Sequence, residues 1–127
     1  MVIGNGVDII DIDRIRKIIT KNPRFLERNF TEDELKLFRD KKMHPATIAA
    51  GFAAKEAVSK AMGTGIRGFN LIDIEILRDP LGKPIVVLHG NAKDVATSKG
   101  IDAFELSLSH TDDTAIAFVI SLAKRSL

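Results

Sequence analysis

The 127-residue sequence contains no cysteine, no tryptophan and no tyrosine. Without cysteine it can form neither disulfide bonds nor thiolate-bound zinc sites. Stacking on a nucleic-acid base would have to use phenylalanine or arginine. No apolar run approaches the roughly 20 residues of a membrane-spanning helix, and the N-terminal residues do not show a basic segment followed by an apolar one. We therefore expect no membrane span and no signal peptide, and a cytoplasmic protein.

The sequence also lacks a large excess of either charge sign. The formal net charge is only +2, which does not by itself point to nucleic acid. Hydrophobic residues make up 45% of the chain and charged residues 28%, as in ordinary globular proteins. The length fits one domain, predicted as residues 1–127.

The most distinctive segment is the alanine-rich stretch that follows Pro45. Proline suits a first helical position, alanine favours the helix interior, and Gly63 and Gly65 are typical of a helix end. At helical spacing Glu56 lies on an apolar stripe, with Lys60 one turn later. One interpretation is a solvated Glu56–Lys60 ion pair. The other is a functional carboxylate, because a close-packed helix face rarely keeps a charge for stability.

A second carboxylate stands among apolar residues in the first predicted strand, Val2–Ile12. Alternation places Asp8 on the same face as Ile10. Asp8 could simply bond to backbone amides near Gly6. If the alanine-rich helix packs across this strand, however, Asp8 and Glu56 would converge. Oxygen ligands without histidine or cysteine suit Mg²⁺, which uses one or two carboxylates and leaves its other positions to water and substrate phosphates.

Basic residues concentrate in the helix that follows the first strand, which we expect Asp13 to cap. Arg14, Lys17 and Lys21 fall on one face of this helix. Such a face is either merely solvated or a patch that attracts an acidic protein or phosphates.

Two further features could contact a ligand. Lys60 and the loop Gly63-Thr64-Gly65 offer an ammonium, a hydroxyl and exposed amides, which suit a phosphate, although such a loop can be only a helix stop. His110 ends a predicted strand, where site residues are common, although a lone histidine is more often structural.

The predicted order of elements is one strand, three helices, two strands, one helix and two strands. This order favours an α+β fold with helices packed on a largely antiparallel sheet. The central elements are a capping box of Thr31 with Glu34 and a strand from Phe69 to Leu77 with one wet face. The later elements are a strand at 85–88, a helix at 90–99 with Asn91 or Gly90 as its candidate cap, and strands at 103–109 and 115–122.

Four segments, taken together, carry a family resemblance. They are G-V-D-I-I-D-I-D-R-I (Gly6–Ile15), F-A-A-K-E-A-V-S-K-A-M-G-T-G-I (Phe52–Ile66), G-K-P (Gly82–Pro84) and S-L-S-H-T-D-D (Ser107–Asp113). In sequence, order and spacing they resemble the holo-[acyl-carrier-protein] synthases, the small phosphopantetheinyl transferases. Two positions depart from the family pattern: Gly51, where an arginine is frequent, and Thr114, where an aromatic residue is frequent.

The resemblance implies a phosphopantetheinyl-transferase-like fold and transfer of 4′-phosphopantetheine from coenzyme A to a serine of an acidic apo-acyl carrier protein. It also implies release of adenosine 3′,5′-bisphosphate, Mg²⁺ dependence and a homotrimer with an active site at each subunit interface. It implies these site residues: Asp8 and Glu56 as metal ligands; Glu56, Lys60 and His110 in catalysis; Lys60, Gly63, Thr64, Gly65, Lys83, Pro84, Ser109 and His110 at coenzyme A; Arg14, Lys17 and Lys21 at the carrier protein.

The general base stays open at this point, with Glu56, a metal-bound water and His110 as candidates. The alternative functions are a non-catalytic nucleotide or RNA binder and a module that only docks carrier proteins. The paired carboxylates argue against both, because a pure phosphate binder gains nothing from buried negative charge. We expect neither nucleic acid nor membrane as a partner.

Overall fold

The chain begins with a long strand that leads directly into a helix. In the computed structural model, which describes residues 1–124, strand β1 spans Val2–Asp11 and helix α1 spans Ile12–Lys21. The cap of α1 is Asp11, whose side chain accepts from the backbone N–H of Asp13, so the expectation that Asp13 caps the helix was wrong by two residues. The last three residues of the predicted domain 1–127 lie outside the described residues.

Strand β1 belongs to a three-stranded antiparallel sheet. Strand β4 spans Ala103–His110 and β5 spans Thr114–Leu122, and the order across the sheet is β1-β5-β4. Asp8 stands opposite Ala117, and His110 stands opposite Ala115. Residues directly opposite one another share a face, so both side chains belong to the inner face, whose Ala115 and Ala117 are buried.

Helix α4, Pro45–Ala61, crosses this inner face. Proline occupies its first turn, as predicted, and most of its residues are buried. The contact with β1 is unusually close: a Cβ at Gly6 would lie 2.1 Å from the carbonyl oxygen of Ala57, and one at Gly4 would lie 2.5 Å from that of Ala61. Glycine on the strand and alanine on the helix therefore permit the approach that brings Asp8 to α4.

Two shorter helices connect α1 with α4. Helix α2 spans Phe25–Asn29 and was not predicted, whereas α3 spans Glu32–Asp40 and begins with the predicted capping box. Thr31 accepts from the backbone of Glu34, and the Glu34 side chain accepts from the backbone of Thr31.

A separate two-stranded hairpin consists of β2, Ile74–Arg78, and β3, Pro84–Leu88. The predicted long strand from Phe69 was wrong, because Leu71–Asp73 forms a turn of 3₁₀-helix before the pairing begins. Its expected wet face was wrong as well, since Glu75 is buried and bonded to Thr31 and His89.

Helix α5, Gly90–Ser98, joins the hairpin to β4, and its cap is His89 rather than Gly90 or Asn91. Apart from these differences, the predicted α+β architecture is confirmed. None of the helices described within residues 1–124 is both long and apolar enough to cross a membrane.

Candidate active site

Asp8 and Lys60 meet where β1 and α4 approach most closely. The Lys60 ammonium lies 3.2 Å from Asp8 Oδ1 and donates to the carbonyl oxygen of Val7 at 2.9 Å. Asp8 therefore has an ammonium partner rather than the backbone amides considered above. The Glu56–Lys60 ion pair considered as an alternative does not form either, because Lys60 reaches across to the strand.

Glu56 lies half-buried on the same part of α4. Burial raises the pKa of its carboxyl group, the negative charge of Asp8 raises it further, and Lys60 opposes both effects. No ammonium or guanidinium in residues 1–124 forms a salt bridge with Glu56. The carboxylates of Asp8 and Glu56 therefore repel each other in a partly desolvated site. This repulsion destabilises the folded chain unless a cation binds between them.

This donor set fits Mg²⁺. It consists of carboxylate oxygens, the hard ligands that Mg²⁺ prefers, and no histidine stands beside them. Residues 1–124 hold no cluster of three or more metal-ligating side chains. Asp8 and Glu56 would therefore supply two ligands and leave the remaining positions to water and a bound phosphate, which is the usual arrangement for Mg²⁺.

The glycine loop lies at the C-terminal end of α4. Gly63 and Gly65 have positive φ, and the Thr64 hydroxyl donates within the loop to the carbonyl oxygen of Gly65. A groove of about 320 Å³ beside the loop is lined by both Lys60 and Lys99, together with Gly63. Lys99 comes from the end of α5. The sequence analysis missed it, because it is far from the glycine loop in sequence although it is close to the loop in space.

Ser109 and His110 line a different cavity, of about 350 Å³. Its wall includes Gly82 of the hairpin turn and two basic residues that the sequence analysis did not single out, Lys41 and Arg78. The imidazole Nδ1 of His110 lies 3.2 Å from the carbonyl oxygen of Thr111.

Lys83 and Pro84 follow Gly82, which lines this cavity, and Pro84 begins β3. The Lys83 ammonium pairs with Glu105 at 3.0 Å, and both side chains are more than half exposed. The turn before them is well defined, because the Asp79 carboxylate accepts from the backbone N–H groups of Leu81 and Lys83.

The implied site residues therefore fall into two groups. The Asp8 group comprises Asp8, Glu56, Lys60 and the glycine loop, and the His110 group comprises Lys83, Pro84, Ser109 and His110. The cavity of the second group touches the first half of α4, through Ala46 to Gly51. At 1.5 Å per residue, these lining residues lie between about 7.5 Å (Gly51) and about 15 Å (Ala46) along the helix from Glu56.

The predicted basic face on α1 is present. Arg14, Lys17 and Lys21 are exposed and line one groove of about 310 Å³. Lys17 also pairs with Asp13 at 3.0 Å, and this contact lowers the pKa of Asp13.

The glycine at position 51 has a structural reason. A Cβ there would lie 3.2 Å from the ring of Phe38, which packs edge-on against Phe30. The aromatic packing therefore occupies the space that a side chain at this position would enter. Thr114, the other departure, starts β5 and accepts from the backbone N–H of Thr111.

A family model described as the 4′-phosphopantetheinyl transferase superfamily matches residues 4–119. The chain belongs to this superfamily. It is similar to a holo-[acyl-carrier-protein] synthase of Alkaliphilus metalliredigens, with 50% identity over 121 residues, 95% of this chain and 99% of the relative.

Solved structures of this superfamily share the fold. A holo-[acyl-carrier-protein] synthase from Neisseria meningitidis superimposes with a TM-score of 0.89 and 37% identity, over 96% of this chain and 99% of that one. The Helicobacter pylori enzyme, solved in complex with coenzyme A, gives a TM-score of 0.81 at 34% identity, over 93% and 99% of the two chains. Membership in this superfamily makes the chain a transferase. It therefore favours a catalytic function over the two non-catalytic alternatives.

Proposed function

We propose that this chain transfers 4′-phosphopantetheine from coenzyme A to a serine of apo-acyl carrier protein, in a Mg²⁺-dependent reaction that releases adenosine 3′,5′-bisphosphate. The names of the relatives and the coenzyme A bound to the Helicobacter pylori enzyme support the substrates. The observation that carries the proposal is the convergence of Asp8 with Glu56, which has no salt-bridge partner in the described part of the chain and a raised pKa.

The reaction exchanges a phosphoanhydride bond of coenzyme A for a phosphoester bond to serine. The serine oxygen bonds to the β-phosphorus of coenzyme A, the bond from that phosphorus to the bridging oxygen breaks, and the nucleotide leaves with the bridging oxygen. Mg²⁺ held by Asp8 and Glu56 would neutralise charge on the pyrophosphate. Lys60 is half exposed and adjacent, so its ammonium can stabilise the negative charge that develops on the leaving phosphate.

Glu56 is the base that this geometry supports best for the serine proton. It has no salt-bridge partner among the described residues, so a carboxylate oxygen that does not bind the metal is available to accept the proton. His110 belongs to the other group of site residues and would act on the nucleotide side of coenzyme A.

We also propose a homotrimer whose subunit interfaces unite the two groups. The outer face of the sheet exposes Val7, Ile9, Ile116 and Phe118, and the register sets Val7 opposite Phe118 and Ile9 opposite Ile116. These four side chains form one apolar patch, which a second copy can cover. The separation of the two groups within one chain supports a site completed by a neighbouring subunit.

The assembly is tested by Ile116→Glu, with Ile85→Glu as a matched control, because both isoleucines lie on strands and are 38% exposed. Light scattering should report trimers for the wild type and the control and smaller species for Ile116→Glu. Trimers from all three would place the interface elsewhere.

The reaction is tested by incubating the chain with coenzyme A, Mg²⁺ and an apo-carrier protein. Mass spectrometry should show the carrier gaining one phosphopantetheine, and a carrier with alanine at the acceptor serine should gain nothing. Carrier binding without any mass gain would favour the docking module instead.

A further inference from the structure

The most deeply buried charges of the described chain lie next to the proposed active site but are not part of it. Lys55 precedes Glu56 on α4 and is 0% exposed, and its partner Glu34 is 1% exposed. The Lys55 ammonium donates to Glu34 Oε1 at 2.8 Å, to the carbonyl oxygen of Leu71 at 3.1 Å and to that of Ile74. All three hydrogens of the ammonium are therefore used.

Glu34 is equally well satisfied. Its Oε1 accepts from the backbone N–H of Thr31 and its Oε2 accepts from that of Ile76, each at 2.9 Å. The chain of contacts continues, since the Thr31 hydroxyl donates to Glu75, and His89 lies 3.0 Å from the same carboxylate. One polar network thus connects α4, the start of α3, strand β2 and the residue that caps α5.

Stability alone does not account for this network. Apolar side chains of similar volume often stabilise a core as well as a buried ion pair, or better. The ion pair differs because its hydrogen bonds are directional. An ammonium bonded to three fixed acceptors allows its helix only one rotation and one position along its axis, whereas apolar contacts allow small shifts of the helix. A tether of this kind is useful where a neighbouring group must be placed accurately.

Two consequences follow from where the tether is attached. Since Lys55 and Glu56 are adjacent on one helix, any rotation of α4 that moves the ammonium also moves the Glu56 carboxylate. The other end is β2 of the hairpin, whose Arg78 and Gly82 line the cavity of the His110 group. The contacts of Lys55 with Glu34 and β2 therefore fix the positions of both groups of site residues.

We infer that the Lys55–Glu34 pair is a positioning device, which holds α4 against the hairpin so that Glu56 faces Asp8 at the correct rotation. Neither residue touches the substrates. The kinetic consequences of this inference rest on the proposed function. Its structural consequence is the placement of a site that binds Mg²⁺ and coenzyme A, and binding can be measured without turnover.

The test removes both charges together in E34Q/K55M, so that no unpaired buried charge remains. The metal-free thermal midpoint should stay closer to the wild type than that of K55M alone. Calorimetry with coenzyme A and Mg²⁺ should show affinity lowered about tenfold, and kcat should fall by about tenfold to a hundredfold, as misplaced catalytic groups do. The KM for the carrier should not change, because α1 is outside the network.

The matched control is E32Q/R39M, which removes an exposed ion pair from the same helix α3 and should leave all four measurements unchanged. A stable E34Q/K55M with wild-type coenzyme A affinity and kcat would overturn the inference. If that variant does not fold, Glu34→Asp retains both charges and shortens the tether by one methylene. A folded Glu34→Asp with wild-type affinity and kcat would overturn the inference equally.

The two hypotheses fail differently. A wild type that transfers nothing would refute the proposed function, yet equal coenzyme A binding by wild type and E34Q/K55M would still overturn the positioning role. An active wild type together with an equally active E34Q/K55M would refute only the positioning role.

Discussion

Helix α4 holds two lysine–carboxylate pairs in contrasting surroundings. The Lys55–Glu34 pair is buried on both sides, whereas the Lys60 side chain of the Lys60–Asp8 pair is 51% exposed. Burial lowers the pKa of Lys55 and raises that of Glu34, and the attraction between the two charges opposes both shifts. The first pair has its hydrogen bonds satisfied within the protein, while the second lies beside Glu56, a carboxylate with a raised pKa and no salt bridge among the described residues.

The comparison separates two uses of the same chemistry. A buried, fully bonded pair fixes geometry, and breaking it leaves a charge that the core cannot solvate. A half-exposed pair contributes about 0–1 kcal/mol to stability, so its ammonium and carboxylate remain available to a ligand. Variants that alter one pair at a time should distinguish these two roles.

Breaking the buried pair on one side should have the largest effect. Lys55→Met leaves the Glu34 carboxylate buried without a countercharge, which costs about 3–5 kcal/mol. The thermal midpoint should fall by more than about 10 °C, measured by circular dichroism. Arg39→Met, which breaks an exposed ion pair on α3, should change the thermal midpoint only slightly. Similar losses in both variants would show that the buried pair contributes no more to stability than the exposed one.

Changing the exposed site should affect activity rather than stability. Asp8→Asn and Glu56→Gln should each lower kcat about a hundredfold, equivalent to about 2.7 kcal/mol of transition-state stabilisation. Their thermal midpoints should stay within a few degrees of the wild type, since the Lys60–Asp8 pair is weak. The mass-shift assay measures the rate, and wild-type activity in either variant would reject the metal site.

Gly6→Ala should disturb the approach of β1 to α4. Its Cβ would lie 2.1 Å from the carbonyl oxygen of Ala57, a backbone atom that cannot move alone, so we expect about 1–3 kcal/mol of destabilisation together with lost activity. Gly51→Ala is the control: its Cβ would meet side-chain atoms rather than a backbone carbonyl, the rings of Phe38 at 3.2 Å and Phe30 at 3.7 Å, and alanine favours a helix. Denaturant unfolding should separate the two, and equal losses would contradict the close approach.

The raised pKa of Glu56 makes the stability of the metal-free protein depend on pH. The folded state binds this proton more tightly than the unfolded state, where the pKa is near 4.5. Stability contributed by the protonated group is therefore lost as pH rises from about 4.5 through the folded pKa. In the presence of a chelator, Glu56→Gln should melt above the wild type at pH 7, and the difference should vanish below pH 4.5.

Mg²⁺ should raise the wild-type midpoint at pH 7 and leave that of Glu56→Gln nearly unchanged. Glu27→Gln, on an exposed carboxylate, should follow the wild type throughout. A Glu56→Gln curve parallel to the wild type at every pH would show that Glu56 titrates normally.

The smallest effect should come from the basic face of α1. Arg14→Glu should raise the carrier-protein KM several-fold and leave the coenzyme A KM unchanged, and added salt should reduce the difference because these charges mainly accelerate encounter. Lys36→Glu, an exposed reversal on α3, should alter neither constant. Equal changes in both KM values would remove Arg14 from carrier docking.

Much of the fold follows from local patterns. Alternation locates β1, β4 and β5, the Thr31–Glu34 capping box locates the start of α3, and Pro45 locates the start of α4. Each signal acts within a few residues, which is why it is readable without knowledge of the rest of the chain. The same locality explains the failure at residues 69–73, where alternation continues but the backbone forms a 3₁₀ turn.

The candidate site was only partly accessible in this way. Residue type and spacing singled out Asp8 and Glu56 as carboxylates on apolar faces, but left a solvated Glu56–Lys60 ion pair open until the family resemblance implied their roles. Their pairing was decided by packing: Lys60 meets a carboxylate 52 residues earlier, and Lys99 reaches Gly63 from another helix.

Local sequence signals were therefore enough for most of the secondary structure and for the chemical groups that α4 presents, but not for α2 or the turn at Leu71–Asp73. Packing between distant segments set which lysine is buried, which carboxylate has no salt bridge within the described residues, and how the site residues divide into two groups. Caps, turns and alternation act over one or two turns of chain, whereas solvation and charge pairing depend on segments that only folding brings together.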